Sequence, residues 1–205
     1  MSISTTDRAL PNRRLRCVML GMQDVMGRNG LNATLKLAGL QRYVGNMPPA
    51  SGSREIRASE FAAMIQAIET QLGSGARGQL NRIGHAAFRQ IVASEKTAWN
   101  LIAFVNRFLP PRQRMQRALA QLARHISEPD GKAGVYSDDQ RLLFADDTSD
   151  STQGRKRSTE ICWLTLGEIQ ECISWATGSN YDVTEVACKA KGDPGCKFEI
   201  GEKLG

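Results

Sequence analysis

Residues 183–200 read VTEVACKAKGDPGCKFEI, and their reading decides the C-terminal half of the chain. YDVTEVACKA (181–190) and CKFEIG (196–201) have the β-branched and aromatic alternation of strands. The KGDPG turn between them predicts an antiparallel hairpin. With Asp193 and Pro194 at its tip, Lys191 faces Cys196 and Cys188 lies further down the partner strand. Glu185 and Cys188 pose a geometric problem, because residues i and i+3 of a regular strand point to opposite faces. Bringing both to one site requires a β-bulge or a strand end near residues 186–188.

Upstream of the hairpin, TEICW (159–163) reads as a short strand. Thr165 and Glu168 have the spacing of a capping box, and the helix behind them buries Leu166, Ile169, Ile173 and Ala176 before Gly178 stops it. GVYSDDQRLLFADD (134–147) supplies one or two strands with a turn at Asp138-Asp139, and DTSDSTQGRKRST (147–159) is a polar loop. The first 130 residues or so are helical. Leu31, Leu35 and Ala38 fall at helical spacing before Gly39, and 46–54 is a Pro/Gly/Ser loop. Ser59 caps a helix with the stripe Phe61, Met64, Ile65, Ile68 and Leu72, ended by Gly73. The next helix carries Ala76, Leu80, Ile83, Ala87 and Ile91. Gly84 inside it costs about 1 kcal/mol against alanine, which points to close packing on another backbone. Trp99, Phe104 and Phe108 precede the Pro110-Pro111 break. Met115, Ala118, Leu119, Leu122 and Ile126 then stripe a helix whose other faces hold Arg112, Arg114, Arg117 and Arg124.

Helices followed by a strand–strand–helix–hairpin unit predict an α+β fold, a helical N-terminal half packed with a mainly antiparallel sheet. The expected divisions are a flexible arm (1–14), a helical dimerisation and pocket part (15–133), and a strand-rich core (134–205) forming one structural unit with it.

Composition narrows the function classes. The 205 residues are 41% hydrophobic with a net charge of +6. The positive charge sits in the N-terminal 130 residues and the rest is net acidic. No lysine/arginine block is longer than RKR (155–157), so a solvated helical shell explains the asymmetry better than nucleic-acid binding. No apolar run is long enough to span a membrane, and the polar N-terminus has no apolar leader core, so a soluble cytoplasmic protein is expected. Five cysteines, Cys17, Cys162, Cys172, Cys188 and Cys196, are an odd number in such a setting. That argues against a disulfide framework and leaves core thiols or a metal site. Cys162, Glu185, Cys188 and Cys196 together would make a closed S₃O shell suited to a structural zinc, although C-x₇-C is not a standard zinc-finger interval. Buried small thiols beside a surface acid are the alternative.

C-W-x-x-x-G (162–167), the helix ending in WATG, and E-x-x-C-x-A-x-G-D-x-x-C-x-F-x-I (185–200) resemble the 4-vinyl-reductase domain. The resemblance covers roughly 134–202, with GLNATLKLAGL and ARGQLNRIGHAAF similar to the helical lead-in of that family. The family takes its name from a bacteriochlorophyll-biosynthesis protein, includes the sensor domains of phenol- and xylene-responsive regulators, and is similar in fold to TRAPP subunits. It implies a homodimer formed through the helices and a pocket for a small hydrophobic molecule: an aromatic, a lipid or a tetrapyrrole. It also implies a structural zinc held at the positions matching Cys162, Glu185, Cys188 and Cys196. Cys17 and Cys172 match no ligand position. Many relatives carry a further cysteine where this chain has DDTSDSTQGRKRS. The regulators also continue into an ATPase and a DNA-binding domain, so the resemblance gives no warrant for transcriptional activation.

Phe88, Trp99, Phe104, Phe144, Leu166, Trp175 and Val183 are the apolar candidates for lining the pocket. Neither histidine, His85 or His125, sits in a nucleophile motif, and the chain has no GxSxG, Walker loop or dinucleotide fingerprint. The expectation is a binding protein, sensor or carrier, rather than an enzyme. A vinyl-reducing or accessory role in bacteriochlorophyll synthesis is the alternative, and a nucleic-acid or protein adaptor using the Arg112–Arg124 helix a further one.

Overall fold

The computed structural model describes residues 7–127, 132–137 and 141–205. A two-residue strand β1 (Ala9–Leu10) leads into helix α1 (Asn12–Leu37). A second short strand β2 (Ile56–Arg57) pairs antiparallel with β1. Helices α2 (Ala58–Leu72), α3 (Ala76–Ser94), α4 (Lys96–Asn106) and α5 (Pro111–Ser127) follow. Strands β3 (Ala133–Ser137) and β4 (Leu142–Asp146), helix α6 (Trp163–Thr177), and strands β5 (Tyr181–Ala187) and β6 (Cys196–Lys203) complete the chain. The sheet has the order β3-β4-β6-β5 with every neighbouring pair antiparallel, so the chain is α+β as its patterning predicts.

The apolar stripes point where helical periodicity places them. Phe61, Met64, Ile65 and Ile68 of α2 join Leu15, Met19 and Met22 of α1 and Leu80 and Ile83 of α3 in one buried cluster. A second cluster lies between the sheet and α3–α6, and holds Phe88, Trp99, Leu119, Leu122, Ile169, Ile173, Phe144 and Phe198. Helix α3 joins the two. Its face toward α6 has no room for side chains. A Cβ on Gly84 would collide with the Leu164 carbonyl oxygen and lie 2.9 Å from the Glu168 nitrogen, and one on Gly167 would collide with the Asn81 carbonyl. The glycine inside α3 therefore marks a backbone-to-backbone crossing that fixes where α6 begins.

Several local expectations are corrected. Residues 7–14, read as part of a flexible arm, are ordered: they form β1 and the first turn of α1, and Arg14 is buried. Residues 1–6 and the Asp138-Asp139 turn lie outside the described residues. TEICW forms no strand; 159–162 is irregular and α6 starts at Trp163. Thr165 and Glu168 are not a capping box, because they already lie inside α6 and the Glu168 carboxylate faces Arg14. Ser59 does not cap α2. Arg57 is the cap residue, and the backbone N–H and hydroxyl of Ser59 donate to the Asp7 carboxylate at 2.9 and 2.6 Å. An acid from outside the helix thus satisfies its free end.

Candidate metal centre and adjoining cleft

The hairpin contains the bulge that the E-x-x-C spacing requires. Glu185 pairs with Phe198 and Ala187 with Lys197, so β5 carries one extra residue there. The bulge turns Glu185 and Cys188 toward a common point. The connection to β6 is longer than a two-residue turn. A short 3₁₀ segment (Lys189–Lys191) follows Cys188, Gly192 takes a left-handed conformation at φ 108°, and the Asp193 carboxylate accepts the Cys188 N–H at 2.8 Å. This folded-back loop sets Cys188 beside Cys196, whereas the tight tip expected from sequence put Lys191 there. Cys162 arrives at the N-cap of α6, its depth set by the glycine crossing.

One ligand atom from each of Cys162, Glu185, Cys188 and Cys196 lies within 4.8 Å of the others. The Cys162 Sγ is 3.3 Å from Cys196 Sγ and 3.9 Å from Cys188 Sγ. A tetrahedron with Zn–S bonds of about 2.3 Å has S···S edges of about 3.8 Å, so the thiols stand near that spacing. Glu185 Oε2 accepts the Cys162 N–H at 3.0 Å, while its Oε1 is buried without a hydrogen-bond partner among the described residues. Such an atom costs free energy unless something binds it. The Lys189 N–H points at Cys196 Sγ at 3.4 Å and Ser149 Oγ lies 3.6 Å from Cys162 Sγ, contacts that hold two of the sulfurs.

The electrostatics are those of an acid-rich pocket. Hydrogen bonds from the Cys162 and Cys196 thiols hold the Cys188 thiol well below its usual range. The same contacts, first with Cys188 and then with Cys196, push Cys162 up. Contact with Cys162 pulls Cys196 down, but the Cys188 sulfur and burial raise it further, to about 12. Burial pushes the Glu185 carboxyl up to about 8. At neutral pH the cluster therefore holds one thiolate and retains protons on its other three members. A divalent cation with a taste for sulfur would displace them. Cys17 and Cys172 are buried elsewhere in the core, and Cys17 meets Ser94 Oγ at 3.8 Å.

The apolar candidates do not meet in one cavity. Leu166 and Val183 face each other across an open cleft of about 580 Å³ that adjoins the cluster through Glu185, with Trp163, Arg77 and Asp182 on its walls. Phe88, Trp99 and Trp175 pack edge-to-face, with the Trp99 centroid 5.1 Å from each of the other two. Phe144 packs edge-on against Phe198 at 6.2 Å inside the sheet's core face. Phe104 is on the surface against Phe108. His85 lies on the outside of α3 with its Nδ1 2.8 Å from Glu171 Oε2.

A buried ionic network behind the centre has no counterpart in the sequence reading. Arg14 of α1 makes a two-pronged ion pair with Glu168 of α6, the Nη2–Oε2 contact being 3.1 Å, and its Nε is 3.7 Å from Asp150. Arg8 pairs with Asp150 and donates to the Thr148 carbonyl at 3.1 Å. Burial pushes the Asp150 carboxyl up to about 7 against the pull of Arg8 and Arg14. The loop carrying Ser149 is thereby tied to the N-terminal segment.

Residues 155–202 match the model of the 4-vinyl-reductase domain. No match to the chain was found among curated proteins. Among solved structures, an H-NOX protein from S. oneidensis in its Fe(II)NO ligation state superposes with a TM-score of 0.61 at 10% identity, covering 96% of this chain and 100% of that one. An oxygen-binding H-NOX domain related to soluble guanylate cyclases gives 0.61 at 10% identity over 93% of both chains. At that identity the likeness is one of fold. Residues 155–202, which carry all four converging ligand groups, are a 4-vinyl-reductase domain, set in an α+β fold similar to that of H-NOX proteins.

Proposed function

We propose that the chain is a binding domain, a sensor or carrier of a small hydrophobic molecule, whose 4-vinyl-reductase unit is clamped by a structural zinc on Cys162, Glu185, Cys188 and Cys196. The observation that carries this reading is the convergence of three thiols and a buried, half-satisfied carboxylate from three separate segments. The four protein ligands close a tetrahedral shell, and such a shell is structural rather than catalytic. The zinc would hold the start of α6 against the hairpin, and the cleft between Leu166 and Val183 lies across that joint. Metal loss would loosen the cleft together with the fold. In this reading 15–133 and 134–205 form one unit that dimerises through its helical part.

Zinc per chain, measured on protein purified without added metal, tests the reading. One zinc is expected in the parent and in Cys172→Ser, and none in Cys196→Ser. An intact parent free of zinc after exclusion of chelators would overturn it.

A tetrapyrrole is the second ligand reading. It is favoured by His125, whose side chain is fully buried with Nδ1 2.7 Å from Glu95 Oε1 and with no hydrogen-bond partner for Nε2 among the described residues. It is also favoured by the fold likeness to a protein whose description concerns heme and porphyrin distortion. Titration with hemin, with His125→Ala as control, separates it from aromatic or lipid ligands. Turnover of a vinyl-bearing chlorophyll precursor with a reductant would instead support the enzymatic alternative.

A further inference from the structure

Helix α4 is amphipathic the wrong way round for a helix serving only the core. At about 100° per residue, Trp99 and Asn106 share one side of it and are its buried residues, whereas Leu101, Phe104 and Phe108 fall within about 60° of one another on the opposite side. Those three side chains are 64, 57 and 77% exposed. Large apolar groups clustered outward at that exposure mark a surface that meets something. The charge around them is one-sided. From Lys96 to Ser127, the whole α4–α5 hairpin, the chain carries one lysine and five arginines and no acid, a charge equal to the net +6 of the entire protein. Arg107 stands between Phe104 and Phe108, and Lys96, Arg107, Arg117 and Arg124 are exposed.

We propose that the α4–α5 hairpin docks on an anionic lipid bilayer surface, inserting Leu101, Phe104 and Phe108 at the headgroup boundary while its cations face lipid phosphates. Apolar and aromatic side chains flanked by arginine and lysine are the pattern of interfacial helices, which need no matching groove. A second copy on the same face is disfavoured because it would bring two acid-free hairpins together. Nucleic acid is disfavoured because Leu101 gains nothing from a phosphate backbone, and the two phenylalanines pack edge-on to each other at 6.0 Å rather than presenting free stacking faces.

The test is cosedimentation of the full chain with vesicles of phosphatidylcholine alone and with phosphatidylglycerol added. Binding is expected only to the anionic vesicles and is expected to weaken with salt. Phe104→Ser/Phe108→Ser should reduce it by about tenfold per side chain, and Arg107→Gln/Arg117→Gln by about fivefold per charge. All four positions are exposed, so circular dichroism should show these variants folded. Absence of binding to anionic vesicles at low salt would overturn the proposal, as would equal binding by the double phenylalanine variant. Concentration-dependent dimerisation abolished by that variant would assign the face to a second copy and overturn the lipid assignment. Tighter binding to duplex DNA than to vesicles, unchanged by the phenylalanine substitutions, would do the same in favour of nucleic acid.

Discussion

The crossing of α3 and α6 makes a sharp prediction about two alanines placed in the same helix. A Cβ on Gly84 would collide with the Leu164 carbonyl oxygen and come within 2.9 Å of the Glu168 nitrogen, both backbone atoms that no rotamer change can move. Restoring an ordinary contact requires the helices to part by about 1 Å, and overpacking of this kind costs about 1–3 kcal/mol or more. Alanine recovers about 1 kcal/mol of helix propensity, leaving a net loss of about 2 kcal/mol at the upper end of that range. Gly78 lies in the same helix with nothing within 4 Å of its would-be Cβ. There the propensity gain stands alone, so Gly78→Ala should stabilise by about 0.5–1 kcal/mol. Urea denaturation should separate the variants by about 3 kcal/mol, and thermal melting by roughly 10 °C for a chain of this size. Because α6 carries Cys162 at its start, Gly84→Ala should also weaken zinc binding while Gly78→Ala leaves it unchanged. A Gly84→Ala protein as stable as its parent would refute the close-crossing account.

Further outcomes follow from the site and the network behind it. Zinc binding at pH 7 should release about three protons, from Glu185, Cys162 and Cys196, while Cys188 is already ionised; calorimetry in buffers of different ionisation enthalpy counts them. Those groups are held protonated in the metal-free fold, so apparent zinc affinity should rise steeply between about pH 6 and about pH 8, and a flat profile would contradict the proton inventory. Arg14→Met should cost about 3–5 kcal/mol by leaving Glu168 buried and uncompensated, and the double variant Arg14→Met/Glu168→Leu should recover most of that in denaturant titration. Asp7→Ala should cost about 1 kcal/mol by removing the acceptor at the start of α2, with no change in zinc content.

What could be read from the sequence was what local periodicity and stereochemistry dictate. The stripe of α2 is buried through Ile68, Gly84 does abut another backbone, and the bulge at Val186 is where the conflict between Glu185 and Cys188 required one. The failures share a different cause. Arg14, Asp150 and Glu168 are far apart in sequence, and nothing in the spacing of charged residues announces which of them will be buried together. The interval from Thr165 to Glu168 suits a cap, yet helix α6 already begins at Trp163. TEICW has the composition of a strand but finds no neighbour, since the free edge of β5 faces the cleft instead. Apolar character alone cannot separate Leu166 and Val183, which face a cleft, from Phe144, which fills the core.

The Arg14–Glu168 pair also bears on how this domain could be inherited. The family match begins at residue 155, but a gene fragment beginning there would encode a helix with a carboxylate aimed into the core and no cation to meet it. It would also lack the Asn81 backbone against which Gly167 is fitted. The transferable cassette is therefore nearly the whole chain, from Asp7 to the end of β6. Recombination that joined the metal-binding portion to a new partner would have to carry the first helix along or replace both charges at once.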